Sequence, residues 1–563
     1  MKRILSFISI AAVISFVACS APAPAPPPEP VKPTFPAIDG QAILQHIKVL
    51  ASDEYEGRAP GSKGEDLTIQ YLTDQFQKVG LKPGNTDGTY IQKVPLVGIT
   101  PENTGPLTFK KGSRTLRLKY KDDTVAWTKR VTDSVSIENS DIVFVGYGIV
   151  APEQNWDDYK GLDVKGKTLV MLINDPPVPD PNDPKQLDPK TFGGKAMTYY
   201  GRWTYKYEIG AEKGAAAVII VHETEPAAYP FSVVQSKVKE QFDLIAADKN
   251  MSRCAVEGWI TVDRARDLFR MSGQDYDKLK AAALGRDFKP VALGTTASMT
   301  IKNTLRTIDS RNVVAKLEGG DPVLKDEYVV MTTHWDHFGI GDPVNGDNIY
   351  NGAQDNASGT AAMIEVARAF TQVKPAPRRS ILFVAVTAEE QGLLGSAYYA
   401  RNPIYPLPKT LASINMDGMN MWGRTKDVTI TGMGASDLDD YAVAVATEQG
   451  RIVKPDPKPE AGSYYRSDHF PFAKEGVPAL ASGSGIEYVG KPEDYGTKLR
   501  DEYTAKLYHS PFDDVKPDWD LSGTVEEAQF YLKITYNVAQ ADKFPEWKPG
   551  NEFKAKRDAM MKK

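Results

Sequence analysis

The 563-residue chain is poor in several features on which whole classes of protein depend. It has two cysteines and no Cys-x-x-C pair, which excludes thiolate metal sites and dithiol redox chemistry. Its 68 Lys and Arg against 73 Asp and Glu give a net charge of −5, so it lacks the electrostatic footprint of a nucleic-acid-binding protein. Neither Gly-x-Ser-x-Gly nor His-Glu-x-x-His occurs, which excludes two common hydrolase signatures.

Long hydrophobic runs are also missing after the N-terminus. Lys2 and Arg3, followed by the short apolar stretch 4–16, are typical of a signal peptide and too short to span a bilayer. Phe16-Val-Ala18-Cys19 resembles a lipoprotein cleavage site. We therefore predict a lipoprotein signal peptide at 1–18 and a lipid anchor at Cys19, which leaves Cys254 without a disulfide partner. An ordinary cleaved signal peptide is the alternative.

Proline, in contrast, is concentrated just after this segment. Eight of the sixteen residues from 21 to 36 are proline, and such a run favours extended polyproline II over a packed core. We predict that 19–38 is a tether that holds the folded part off a membrane. The expected location is the bacterial cell envelope, with the protein lipid-anchored and either periplasmic or attached to the outer membrane.

Apolar patterning predicts an α/β fold with a mostly parallel mixed sheet flanked by helices. Continuous apolar runs at 328–331, 381–386 and 411–416 indicate strands buried on both faces, and 361–370 and 393–400 between them have helical periodicity. Residues 41–80 read as two helices around a loop. We expect a split catalytic domain at 39–125 and 301–547, followed by a charged tail at 548–563 that forms a peripheral helix or is disordered.

The stretch 126–300 has a different pattern and is predicted to be an insertion. Strands near glycines at 141–148, 168–173 and 214–221 surround a helical segment at 206–213. Residues 201–222 resemble the protease-associated domain, and an unrelated α/β insertion is the alternative. The resemblance implies that 126–300 lies beside the catalytic rim and narrows its entrance.

Five short motifs follow one another in the C-terminal half, each next to an apolar run. They are His334-Trp-Asp336-His337, Gln354-Asp355-Asn356-Ala-Ser358-Gly359, Ala388-Glu389-Glu390-Gln-Gly392, Asn415-Met-Asp417-Gly418 and Tyr508-His509-Ser510-Pro511. In an open parallel sheet, residues that follow neighbouring strands meet at the carboxyl edge of the sheet. Imidazole nitrogens and carboxylate oxygens are ligands that zinc prefers. The motifs together predict a two-metal hydrolase site at this edge.

On these motifs the chain resembles the dizinc aminopeptidases of metallopeptidase family twenty-eight. The resemblance implies two Zn²⁺ per chain and peptide substrates with a free N-terminus. It implies that His334 and Asp417 hold one zinc, that Glu390 and His509 hold the other, and that Asp355 bridges both. It also makes Glu389 the general base and Asp336 the residue that orients the site, with a non-proline cis peptide at Asp355-Asn356. The first acidic residue of the usual second motif is replaced here by Gln354.

Further residues are weaker candidates for substrate binding. Arg466, Asp468 and His469 belong to a segment that resembles one lining the active site in this family, and the alternative is a capped turn with a structural histidine. Tyr465 is a candidate wall of a specificity pocket. We expect His337 to be a hydrogen-bonding loop residue and not a ligand.

Three other functions compete with an aminopeptidase. A carboxypeptidase of the same chemistry needs a cationic clamp for the terminal carboxylate, and Arg466 is the one arginine close to a motif. A glutaminyl cyclase on this scaffold holds one zinc and need not keep all five ligands. A non-catalytic, receptor-like relative would have lost ligands, and none is lost here.

Overall fold

The computed structural model describes residues 32–236 and 239–562. The predicted signal peptide, Cys19 and the tether up to residue 31 lie outside this range. The described end of the proline-rich segment lies on the protein body, because the Thr34 N–H donates to the Lys374 carbonyl at 2.7 Å and Phe35 packs edge-on against Tyr536.

The helices found in the described residues are short to medium in length. They are α1 (Gly40–Leu50), α2 (Lys63–Lys78), α3 (Trp203–Glu212), α4 (Thr224–Ala227), α5 (Phe231–Ser236), α6 (Val262–Ser272), α7 (Tyr276–Ala282), α8 (Gly359–Phe370), α9 (Leu394–Arg401), α10 (Leu438–Glu448), α11 (His469–Lys474), α12 (Tyr495–Lys506), α13 (Ser522–Gln540) and α14 (Lys554–Met561). Within 32–236 and 239–562, none of these helices has the length and apolar character needed to cross a bilayer.

The strands of the same residues are, in chain order, as follows. They are β1 (Lys82–Pro83), β2 (Ile91–Thr104), β3 (Thr108–Lys111), β4 (Arg114–Arg117), β5 (Thr124–Trp127), β6 (Ser134–Phe144), β7 (Val150–Ala151), β8 (Trp156–Asp157), β9 (Thr168–Leu172), β10 (Ala217–His222), β11 (Gln241–Leu244), β12 (Val256–Thr261), β13 (Val291–Leu317), β14 (Tyr328–His334), β15 (Gly339–Val344), β16 (Asp347–Tyr350), β17 (Ser380–Val386), β18 (Thr410–Asn415), β19 (Asp427–Thr431), β20 (Ile452–Pro455) and β21 (Ala479–Ser484).

The sheet that carries the motifs is mixed and mostly parallel, as predicted. β17, β14, β18 and β21 run parallel to one another, and β13 and β19 are antiparallel to β17 and β21. Alternate residues of β14 and β17 pack into two hydrophobic clusters, one on each face, which explains the unbroken apolar runs. One cluster takes Val329, Met331, Ile381, Phe383 and Ala385, and the other takes Tyr328, Val330, Leu382, Val384 and Val386.

A separate hydrophobic cluster is built by residues between Leu107 and Ile301. Its centre is formed by the parallel neighbours β6, β9, β10 and β12. The long strand β13 joins the two parts of the molecule, because its first residues pair with β6 and its last residues pair with β17. The domain boundaries, and the likeness of 126–300 to a protease-associated domain, stay predictions.

The C-terminal tail takes the helical alternative. α14 lies against the body, where the buried Arg557 donates to the carbonyls of Leu407 and Thr410 at 3.1 and 2.8 Å. Trp547 and Phe553 join a small hydrophobic cluster with Tyr465 and Phe470.

Candidate metal centre

Three neighbouring parallel strands deliver the predicted ligands to one edge of the sheet. His334 is the last residue of β14, Asp417 follows the end of β18, and Glu389 and Glu390 follow the end of β17. Because these strands run in the same direction, their carboxyl ends meet. Asp355 comes from the turn before α8, and His509 comes from the loop after α12.

The ligand atoms converge in two groups that share Asp355. Nε2 of His334 lies 3.3 Å from Oδ1 of Asp355 and 3.2 Å from Oδ1 of Asp417. Nε2 of His509 lies 3.3 Å from Oδ2 of Asp355 and 3.2 Å from Oε2 of Glu390. The two oxygens of one carboxylate therefore face different imidazoles, which is the arrangement of a bridging ligand.

These separations fit a metal cation. Ligand atoms on a tetrahedron with bonds of about 2.0–2.1 Å lie roughly 3.3 Å apart, whereas N–H···O hydrogen bonds have a mode near 2.9–3.0 Å. Nitrogen and carboxylate oxygen together are donors that zinc accepts. The donor set of each group thus fits a zinc ion by both chemistry and spacing.

The backbone before α8 presents Asp355 to both imidazoles. The Asp355-Asn356 peptide is cis, as the resemblance implied. The Asp513 carboxylate accepts the Asp355 N–H at 3.0 Å and the Gln354 N–H at 3.1 Å. The Asn356 side chain accepts the Gly418 N–H at 3.0 Å, which ties this turn to the segment after Asp417.

Asp336 lies behind the two adjacent glutamates. Its buried carboxylate accepts the main-chain N–H of Glu389 at 3.1 Å and that of Glu390 at 3.4 Å. Glu389 is itself close to the metal groups, since one of its oxygens lies within 4.8 Å of ligand atoms of His334 and Glu390. Glu389 thus adjoins both groups of candidate ligands.

His337 lies in the loop after β14, and its hydrogen-bond partner is one of the candidate ligands. It is fully buried, and its Nδ1 lies 2.7 Å from Oε1 of Glu390. The other oxygen of Glu390 faces His509. His337 thus fixes the orientation of the Glu390 carboxylate, and it also lies within 4.8 Å of an oxygen of Asp355.

The electrostatics of the cluster favour a cation. Burial lowers the pKa of His509, but Glu390 and Asp355 more than offset it and raise that pKa to about 10. Burial raises the pKa of Asp336 to about 7. Burial, reinforced by Glu390 and Asp417, raises the pKa of Glu389 well above its usual range. The rise for His509 comes from the neighbouring carboxylates, whereas burial is the main cause of the rise for Asp336 and Glu389.

The four predicted substrate-binding residues fall in different environments. Asp468 is buried and accepts a hydrogen bond from Ser396 at 2.5 Å. His469 is buried with its ring edge-on to Tyr464. Tyr465 is buried and donates its hydroxyl proton to Glu552 at 2.9 Å, whereas Arg466 is exposed.

Between these residues lies one that the sequence interpretation did not single out. Ser467 donates its hydroxyl proton to Oδ2 of Asp417, and it accepts a hydrogen bond from the Asn415 amide at 2.7 Å. The 466–469 segment thus contacts the metal centre through Ser467. Arg466, the residue before Ser467, is exposed to solvent.

Residues of 126–300 contact the loops around the centre in several places, and two of them lie next to segments that carry candidate site residues. The ring centroids of Tyr199 and Phe470 lie 5.3 Å apart, and the Glu208 carboxylate pairs with the Lys474 ammonium at 2.6 Å. Helix α3 and the turn before it therefore hold α11, the helix that follows Ser467 and Asp468. On another side, Lys239 pairs with Asp342 of β15 at 2.7 Å.

Comparisons with known proteins agree with this site. Residues 312–532 match the profile of "Peptidase family M28". The chain is 31% identical over 173 residues to "Aminopeptidase NAALADL1" of Mus musculus, a stretch covering 28% of this chain and 22% of that protein. It is 27% identical over 263 residues to "Probable leucine aminopeptidase 2" of Trichophyton verrucosum, covering 44% of this chain and 48% of that one. The chain thus spans less than half the length of either relative.

Among solved structures, the chain is similar to "Aminopeptidase from Aneurinibacillus sp. strain AM-1". The two share 18% sequence identity with a TM-score of 0.48, and the match covers 90% of this chain and 96% of that one.

Proposed function

We propose that the chain, whose residues 312–532 match the profile of peptidase family M28, is a zinc-dependent exopeptidase that removes N-terminal residues from peptides. Its site would hold two zinc ions, with Glu389 as general base. The proposed ligands are His334, Asp355, Glu390, Asp417 and His509. The observation that carries the proposal is that the two oxygens of Asp355 face two different imidazoles, each of which is paired with a second carboxylate.

When bound, the two cations would polarise the scissile carbonyl and lower the pKa of a water molecule. The residues of the chain would position the reacting groups and transfer the proton. Asp336 holds the main chain of Glu389 and Glu390, so that one side chain faces the ligand groups and the other stays free. Glu389 would take a proton from the water and pass it to the leaving amine, a role worth typically 10²–10⁴-fold in rate.

The charges around the site support an aminopeptidase over a carboxypeptidase. A substrate carboxylate would need a cationic partner in a site already crowded with carboxylates. The buried guanidinium of Arg58 is attracted to Asp336, Asp355 and Glu390, but its N–H groups are donated to main-chain carbonyls. Arg466 is exposed. The donors of the Arg58 guanidinium are thus already used by the main chain, which favours an aminopeptidase over a carboxypeptidase.

The environment of the enzyme and its access route are further parts of the proposal. We propose that Cys19 carries a lipid and that 19–38 tethers the enzyme in the bacterial envelope, as the composition of that segment indicates.

Residues 126–300, as a protease-associated insertion, would restrict the entrance to short peptides. Their contacts with α11 and β15 support this, because both elements adjoin segments of the metal centre.

The proposal is tested by comparing three kinds of substrate with the zinc-loaded protein. Aminoacyl nitroanilides should be hydrolysed, and chelation should abolish the activity. Peptides with a blocked N-terminus and a free carboxylate should stay intact, and peptides with N-terminal glutamine should be hydrolysed without cyclisation. Release of C-terminal residues from blocked peptides would instead indicate a carboxypeptidase. Cyclised product would indicate a glutaminyl cyclase, and inactivity on all three with zinc bound would indicate a non-catalytic relative.

A further inference from the structure

One buried arginine binds only main-chain carbonyls, and these belong to the loops of the metal centre. The side chain of Arg58 is 1% exposed. Its Nε donates to the Trp335 carbonyl at 2.8 Å and its Nη2 to that of Gly352 at 2.9 Å. Its Nη1 donates to the carbonyls of Leu50 and Asn351, both at 2.6 Å.

Two of the carbonyls that Arg58 binds belong to loops that carry candidate metal ligands. Trp335 lies between His334 and Asp336, and Gly352 begins the turn that ends in Asp355. The guanidinium therefore connects a loop with a ligand of one metal group to the loop with the ligand that both groups share. Leu50, the last residue of α1, anchors the connection to the body of the protein.

The local backbone is built to place this side chain. Glu56, Gly57 and Arg58 have φ of 48°, 63° and 54°, a left-handed run that is unfavourable for residues with a Cβ atom. At Gly57 a Cβ atom would lie 2.3 Å from the Tyr350 carbonyl oxygen, so the turn and the β16 strand approach more closely than any other residue allows. The Arg58 carbonyl in turn accepts the His337 N–H at 3.4 Å.

Only an arginine can make these contacts. A planar guanidinium presents its donors in a fixed fork, whereas a lysine ammonium offers three donors from one atom, fewer than the four carbonyls bound here. The positive charge is also retained in a buried place. Burial lowers the pKa of Arg58 to about 10, and nearby Asp336, Asp513 and Asp355 oppose the change, so the group stays protonated at neutral pH.

We propose that Arg58 is a positioning residue that sets the separation between the His334 loop and the Asp355 turn, and so the geometry of the metal pair. The inference rests on the proposed metal site, since it assigns the residue that holds the two loops in register. Arg58 touches no substrate, so the effect of replacing it must appear first in metal binding.

The test compares Arg58→Lys with a matched variant, Arg557→Lys. Arg557 is also buried, its carbonyl partners are Leu407 and Thr410, and burial lowers its pKa to about 10 as well. Zinc affinity is measured by competition with a chelator, and folding by circular dichroism. Arg58→Lys should bind zinc about 10–100-fold more weakly, the loss typical of residues that orient metal ligands. Arg557→Lys should bind zinc like the wild type.

Wild-type zinc affinity in Arg58→Lys, or an equal loss in both variants, would overturn the inference. Should Arg58→Lys fail to fold, Asn351→Ala decides, because the Asn351 amide ties the same turn to Ala51 and Asp53, each at 2.9 Å. Weakened zinc binding in that folded variant is expected, and unchanged binding would contradict the proposed role of the turn. A wild-type protein that binds no zinc would refute the proposed function itself.

Discussion

The Asp336 carboxylate accepts a hydrogen bond from the main-chain N–H of Glu389 at 3.1 Å. It also accepts the N–H of Glu390 at 3.4 Å, so one buried side chain holds the backbone of two adjacent glutamates. This relationship explains how two neighbouring glutamates come to have different surroundings. The Glu390 side chain is directed towards His337 and His509, while that of Glu389 remains free of a side-chain hydrogen-bond partner in the described contacts.

Replacing Asp336 by Asn should lower activity more than it lowers stability. The amide keeps one acceptor oxygen but places an NH₂ group against a main-chain donor, so the Glu389 backbone loses one of its constraints. We expect kcat to fall by about 10–100-fold, as for other residues that orient a metal site. Asp158→Asn is the control, because Asp158 is buried and accepts the Ile149 N–H at 2.9 Å within the insertion. Equal loss of kcat in both would contradict this role.

The two glutamates should respond differently to the same substitution. Glu389→Gln keeps the size of the side chain but cannot accept a proton. It should retain both zinc ions and bind substrate while kcat falls by about 10²–10⁴-fold. Glu390→Gln should lose one zinc, because a neutral amide is a poor ligand. Metal content and steady-state kinetics of the two variants give the answer, and the reverse pattern would show that the two roles are exchanged.

Acid should destabilise the protein partly through His469. This histidine is 1% exposed, and burial lowers its pKa to about 4, against the opposing effects of Tyr464 and Asp417. Between pH 4 and 6.5 the unfolded chain binds a proton here and the native chain does not, so the free energy of unfolding rises with pH over that window. The full effect is about 3 kcal/mol at 1.36 kcal/mol per pKa unit.

Urea unfolding of the zinc-free protein at pH 7 and 4.5 measures this effect. We expect His469→Gln to lose about 2 kcal/mol less stability than the wild type over that interval. Parallel losses in the two proteins would mean that His469 does not titrate in this way.

Three of the candidate ligands, His334, Glu390 and Asp417, were predictable because they follow apolar strands. Parallel strands bring such residues to one edge whatever their distance in sequence. The residues that support them carry no comparable signal. Asp513 accepts the Asp355 N–H from 158 positions away, and Arg58 binds Gly352 from 294 positions away. Nothing in their local sequence indicates these partners. The three left-handed residues that end in Arg58 were visible only as part of the loop between two predicted helices.

The same reasoning explains why the sequence did not indicate the contacts of His337 and Ser467 with candidate ligands. His337 was predicted to be a hydrogen-bonding loop residue, and the sequence did not indicate that its partner is Glu390 at the neighbouring strand end. Ser467 stands beside the candidates Arg466 and Asp468, but its contact with Asp417 depends on how the turn before α11 is oriented. A motif indicates which segment is near a site, whereas side-chain direction within a turn is decided by packing. Here Tyr199 and Glu208 pack against Phe470 and Lys474 of α11.

The central claim is that two zinc ions share Asp355, and anomalous diffraction at the zinc edge of crystals of the zinc-loaded protein tests it most directly. The account predicts two peaks about 3.5–4 Å apart. One peak should be bound by His334 and Asp417, the other by Glu390 and His509, and Asp355 should contact both. A single peak, or two peaks of which only one contacts Asp355, would contradict it.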